Sequence, residues 1–251
     1  MDNVRFEITL NGENLCTAGL DGYGSLTVGM NLFVPRPWSQ ACAQAGVPAG
    51  GSAPSITVLG MNQRNASEYG HMVWGGKSLN VGDVITVCVL PQGHYDPPIA
   101  AFDDLESATK WNGPAHFRGC LAENLSPEAD VDGPAQWDLR FEIHHNGEYA
   151  CTAGCVRHSM VLVSVEAHTH DPEHAESRRA MGEPAGDRLT MGIHFFDVDR
   201  PVRPLEVGDE VLVRVLPSGE CDPPQEPRKP GHPEWAKDAR AFGQFSRDSE
   251  R

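Results

Sequence analysis

The chain has no run of apolar residues near the roughly 20 that a membrane-spanning helix needs, so no transmembrane segment is expected. Aromatics are scarce, at 7%, and basic residues are outnumbered: 20 Lys and Arg face 35 Asp and Glu, for a formal net charge of −15. A surface this acidic repels phosphate backbones. Direct nucleic-acid binding is therefore disfavoured, while a basic protein partner remains compatible. The opening MDNVRFEITL is not a basic stretch followed by an apolar one, so no signal peptide is expected and the expected compartment is the cytoplasm.

Other absences concern chemistry. The cysteines (Cys16, Cys42, Cys88, Cys120, Cys151, Cys155 and Cys221) include no Cys-x-x-Cys pair and form no disulfide framework. Reduced, mostly buried thiols are expected. There is no phosphate loop, dinucleotide fingerprint or nucleophile elbow. The stretch GVPAGGS at Gly46 is glycine-rich but lacks the Lys-Ser/Thr and following helix that cradle phosphate. The lack of a catalytic constellation leans against an enzyme.

What is present is a repeat. RFEITLNGENLCTAG begins at Arg5 and RFEIHHNGEYACTAG at Arg140. The closing stretches match as well: LNVGDVITVCVLPQGHYDPP from Leu79 and LEVGDEVLVRVLPSGECDPP from Leu205. Two signatures bracketing different middles indicate a duplicated domain rather than a solenoid of short units. The expected units are a first β-domain at 1–98, an acidic but aromatic-containing linker at 99–138, a second β-domain at 139–224, and a Pro-rich tail at 225–251. In the linker, AAFDDLESATKW is compatible with a short helix that turns Phe102 and Leu105 inward. In the tail, PEWAKDARAF places Trp235, Ala239 and Phe242 on one helical face.

Each unit reads as β. Val4, Phe6, Ile8 and Leu10 alternate with polar residues, the period of a half-buried strand. Asn11-Gly12 tolerates positive φ and marks a hairpin. A plain two-residue loop would put Cys16 on the face of Glu7. A three-residue loop with a bulge would put Cys16 and Ala18 with Val4 and Phe6. The second arrangement is expected, with Cys16 and Cys151 buried and Cys155 beside them. GSLTVGMNLFV and PSITVLGM read as middle strands, and GDVITVCVL as the closing strand. The fold class is mainly β, as two tandem small sandwiches or barrels with a short C-terminal helix.

Candidate sites are few. HTHDPEH supplies His168, His170, Asp171 and His174; imidazoles two apart on extended chain point the same way, and a third can close a zinc site. The first unit has VPRPWSQ in that place, with no histidine. A solvated polar loop is the competing account. His144 and His145 precede the second Asn-Gly turn and read as a solvent-near strand end. Arg5/Glu7 and Arg140/Glu142 read as cross-strand charge pairs on an exposed face. The DPP triplets at Asp96 and Asp222 read as chain-ending devices.

The functional expectation is a non-catalytic cytoplasmic protein-binding module that contacts its target through loops near 35–54, 62–78 and 168–188. Its narrower form is an acidic immunity or inhibitor protein that neutralises a basic toxin. The competing classes are a metal-dependent enzyme using the His168–His174 loop and a structural assembly component.

Overall fold

The computed structural model describes residues 4–33, 54–63, 69–103, 107, 139–154, 160–171, 187–195, 203–217 and 219–222. The described part is mainly β, arranged in two sheets, and none of its elements is a helix. No helix there is long and apolar enough to cross a membrane. The strands are β1 (Arg5–Leu10), β2 (Glu13–Gly19), β3 (Gly24–Phe33), β4 (Ser55–Gln63), β5 (Tyr69–Ser78), β6 (Val84–Leu90) and β7 (Ala100–Phe102) from the first half. The second half contributes β8 (Arg140–His145), β9 (Glu148–Gly154), β10 (Met160–Thr169), β11 (Arg188–Phe195), β12 (Arg203–Pro204) and β13 (Glu210–Leu216).

The six-stranded sheet has the order β2-β1-β6-β13-β8-β9, and the seven-stranded sheet β12-β11-β10-β3-β4-β5-β7. Every pairing is antiparallel. Both sheets thus draw strands from both halves, and their inner faces meet in one core. Two separately closed sandwiches or barrels over 1–98 and 139–224 are not what forms. The reason is physical: alternation tells which face of a strand is buried, but not which strand lies beside it. β6 and β13 pair with each other, as do β3 and β10.

The registers carry an approximate two-fold symmetry. Extending the Arg5–Arg140 correspondence maps Val28 opposite Val58 onto Val163 opposite Ile193. The correspondence of the closing stretches maps Phe6 opposite Val89 onto Phe141 opposite Val215. Gly29 then pairs with its own counterpart Ser164, and Thr86 with its own counterpart Leu212. The pseudo-axis passes through the middle of both sheets. Phe6, Ile8, Phe141 and Ile143 are wholly buried on the six-stranded side, against Val28, Met30, Val163 and Val165. Apolar burial of this kind is the main stabilising term.

The first hairpin resolves the choice posed by the sequence. The loop is the two-residue Asn11-Gly12, with φ of 55° and 79°, so the three-residue loop does not form. A bulge is nevertheless present, one step into the strand: Ile8 faces Cys16 while Thr9 faces Asn14. The skipped Leu15 restores Cys16 and Ala18 to the core face. The second hairpin repeats this, with Asn146 and Gly147 at 51° and 77° and the bulge between Ile143 and His144.

Two other expectations change. Ala100–Phe102 is strand β7, not the start of a helix. It pairs with the side of β5 that would otherwise be open, and the Ile99 amide donates to the Val73 carbonyl at 2.7 Å. Part of the stretch expected as a loop at 62–78 is strand β5. Its Gly75-Gly76 and a register shift opposite Val58/Leu59 interrupt the alternation that would have marked it. The expected tail helix, Cys155, and most of the linker lie outside the described residues.

The seam between β6 and β13 is held at both ends by an Asn-Asp clasp. Asn11 exchanges bonds with Val84: its amide donates to the Val84 carbonyl at 2.8 Å, and its Oδ1 accepts from the Val84 amide at 2.9 Å. Its Nδ2 donates to Asp83 Oδ1 at 2.8 Å. Asp83 Oδ2 accepts from the Asn80 amide at 2.7 Å, and the Asp83 carbonyl accepts from Val215 of the other half at 2.9 Å. Asn146, Glu210, Asp209, Glu206 and Val89 repeat each bond. Replacing either Asp83 or Asp209 by Ala removes two accepted bonds, and each variant is expected to lose about 1–2 kcal/mol of stability. Equilibrium denaturant unfolding measures it, and two variants as stable as the parent would show that the clasps do not hold the seam.

Candidate functional site

The shared signatures converge on one structural device. Arg5 does not pair with Glu7. Its Nε donates to the Pro91 carbonyl at 3.1 Å and its Nη1 to the His94 carbonyl. Arg140 does the same to Pro217, at 3.1 Å, and to Glu220. The charge-pair reading of Arg-x-Glu is thus replaced by a guanidinium that holds the exit of the closing strand. A Cβ on Gly219 would stand 2.6 Å from the Arg140 guanidinium, so a side chain there would push that tie aside. The DPP aspartates complete the device: Asp96 accepts from the Thr17 amide at 2.6 Å and donates its own amide to Thr17 at 2.8 Å. Asp222 and Thr152 repeat this at 2.8 and 3.1 Å. In the first half, Trp74 Nε1 also donates to the Asp96 carbonyl at 2.7 Å.

The repeated cysteines belong to the core. Cys16 and Cys151 are buried. Burial, with a smaller push from the Asp96 charge, raises the Cys16 thiol to about 12. It stays protonated at neutral pH and is a poor nucleophile.

Of the described histidines, His144, His168 and His194 lie on the outer faces of the second half. His168 and His170 do approach each other, with ring centroids 6.3 Å apart. His168 Nε2 sits 3.2 Å from Glu166 Oε2. His174 lies outside the described residues, and Asp171 is at the edge of them. No group of three His, Cys, Asp or Glu able to hold a metal occurs among the described residues. Beside this pair, Ser164 Oγ lies 3.2 Å from His194 Nε2. That spacing joins a hydroxyl to a base, but Ser164 has no exposed surface. It meets no substrate in this state. Asn31 and Thr57 are also buried on this outer face, so the centre of the seven-stranded sheet carries a band of enclosed polar groups.

On the six-stranded sheet, His144 Nε2 contacts Glu142 Oε1 at 3.0 Å and stacks edge-on to Tyr149. His145 Nε2 comes within 3.2 Å of Asp209 Oδ2, an ion pair when the ring is protonated, yet off the line a hydrogen bond requires. Across the outer face, Arg214 Nη1 donates to Glu142 Oε1 at 2.9 Å. The counterpart of Arg214 is Cys88, set between Glu7 and Glu210 on the neighbouring strands. Burial first, then the charges of Glu210 and Glu7, raise its thiol pKa. This row is not legible when the two copies are compared strand by strand. Only the lateral order of strands brings Glu7 and Glu210 to either side of one residue.

A scan against protein-family models finds no match, and neither the curated proteins nor the solved structures give a significant one.

The Glu166 carboxyl is held below its ordinary range, chiefly by the bond to His168; burial opposes this, and Ser164 and His194 assist it. A depressed carboxyl stabilises the fold above its unfolded pKa, and that contribution fades as pH falls through the lower folded value. Glu166→Gln is therefore expected to lose part of the acid-side slope of stability. Denaturant unfolding from pH 3 to 7 checks this; parallel curves for the two proteins would refute it.

A zinc titration is expected to turn on His174. The described residues bring only two imidazoles together, one fewer than the three protein ligands that even an open zinc site holds. Stoichiometric binding that survives His174→Ala would place the third ligand elsewhere. No protein-dependent binding in the parent would end the metal reading.

Proposed function

We propose that this chain is a non-catalytic, cytoplasmic protein-binding module derived from a duplicated β-unit. One observation carries the reading. Most of the residues that the two halves have in common and that make a specific bond brace the fold: the Asn-Gly turns, the Asp83 and Asp209 clasps, and the Arg5 and Arg140 ties. The outer faces, where a partner would be met, differ between the halves. Common residues that brace and divergent residues that face outward fit a scaffold whose contact surfaces vary. The poorly nucleophilic thiol of Cys16 and the enclosed hydroxyl of Ser164 support a non-catalytic role.

The narrower version, an acidic inhibitor or immunity protein for a basic partner, is favoured by the net charge of −15. A metal-dependent enzyme rests on the approach of His168 to His170 alone. An assembly built edge to edge fits poorly. β2 and β9 carry bulges, while β7 and β12 are three and two residues long. Such edges discourage strand addition.

Affinity capture from the native host, followed by reconstitution with the purified candidate, tests the reading. A single basic protein is expected, bound in a defined stoichiometry, with affinity that falls as salt rises. Turnover of a substrate by the purified chain, or the absence of any partner that survives reconstitution, would overturn it.

A further inference from the structure

The two halves answer the same electrostatic position differently. On the outer face of the six-stranded sheet, the second half sets Arg214 between Glu142 and Val84, and its guanidinium is bound by Glu142 at 2.9 Å. On the other side of the axis the corresponding residues are Cys88 and Glu7 of the first half and Glu210 of the second, across the seam. One carboxylate with an internal cation has become two carboxylates with none. Among the described residues, Glu7 has no ion-pair partner, and the Glu210 side chain meets only the Cys88 sulfur at 4.0 Å. Arg5, the near cation on the same strand, is committed to the carbonyls of Pro91 and His94. Thr9, Thr86 and Leu212, one step along the sheet, carry no charge.

We infer that the notch formed by Glu7, Cys88 and Glu210 receives an arginine side chain of a protein partner. The inference rests on the protein-binding reading above. Neighbouring strands lie about 4.8 Å apart, so the two glutamates flank Cys88 at roughly twice that separation. The short thiol leaves room between them. A guanidinium is planar and carries donors on opposite sides, so it can address both carboxylates at once, where a lysine ammonium acts as a point charge. The second half shows the chemistry already working on this sheet, because Glu142 binds a guanidinium in the matching place. All three notch residues are partly exposed.

The test titrates the full chain at low salt with a short capped peptide carrying arginine, and with the same peptide carrying neutral citrulline. The side-chain carboxyl signals of Glu7 and Glu210 are followed by NMR. Saturable shifts are expected with arginine, and binding weaker by about tenfold or more with citrulline. Cys88→Arg fills the notch from within: it is expected to melt higher than the parent and to lose peptide binding to the same degree. The double variant Glu7→Gln/Glu210→Gln loses binding without adding a cation, and serves if the first variant does not fold. Equal binding of the two peptides, or arginine binding unchanged in either variant, overturns the inference. The two readings separate cleanly. A native partner held equally by the parent and by Cys88→Arg ends the notch and leaves the binding module standing. Absence of any native partner ends the module, while the peptide titration still decides the notch.

Discussion

The pairing of β6 with β13 is the constraint on which the rest of the structure depends. Each half on its own would end its six-stranded-sheet segment at the open side of β6 or β13, and its other sheet segment at β3 or β10. An open strand carries a row of backbone donors and acceptors that must find partners. Here the partners are the matching strands of the other half, Thr86 beside Leu212 and Gly29 beside Ser164. Two unpaired edges per half are thereby removed, and the apolar faces on both sides of the seam fuse into one core. Among the described residues, the outer edges that remain are short or bulged.

The clasps follow from this geometry. A seam that lies on an approximate two-fold axis presents the same end twice, so one solution serves both. The turn before β6 donates Gly82 to the Val215 carbonyl, and the turn before β13 donates Gly208 to Val89. Asp83 and Asp209 brace those turns and reach back to Asn11 and Asn146 at the hairpins. The hairpin, the closing turn and the strand across the seam are therefore one connected hydrogen-bonded unit. Asp83 thus links Asn11 to β13 by hydrogen bonds. This explains why the Asn-Gly and Gly-Asp signatures appear together in each half.

Much of this could be read from the residues, and the rest was hidden for definable reasons. Alternation at Phe6 and Ile8 gives the buried face correctly, because a half-buried strand has only two faces. Burial of Cys16 follows from the same logic once a bulge is allowed. The position of that bulge was not readable: Asn11-Gly12 closes a two-residue turn, and Leu15 absorbs the extra residue one step later. The role of Arg5 was misread because a charged neighbour, Glu7, stands two residues away in sequence, whereas the true acceptors are carbonyls more than eighty residues on. The continuity of the sheets was beyond reach for a similar reason. Nothing in a strand's own pattern names its lateral neighbour. The polar band of Ser164, Glu166, His168 and His194 needs β10 and β11 to be set side by side.

Joining two like halves in one chain has a consequence that a dimer of identical subunits does not share. An isologous pair presents the same residue on both sides of its axis. Here Cys88 stands on one side of the seam and Arg214 on the other. Gly29 faces Ser164, and the position of Asn31 in the first half is held by Glu166 in the second. None of these changes disturbs the shared clasps, because they lie on outward faces while the clasps lie at strand ends. Covalent linkage therefore lets each face acquire its own charge without loss of the common frame. On one side of the axis Glu7 and Glu210 have no ion-pair partner among the described residues, while on the other Arg214 binds Glu142. The arginine-bearing partner proposed above would meet attraction on one side of the axis and a position already filled on the other.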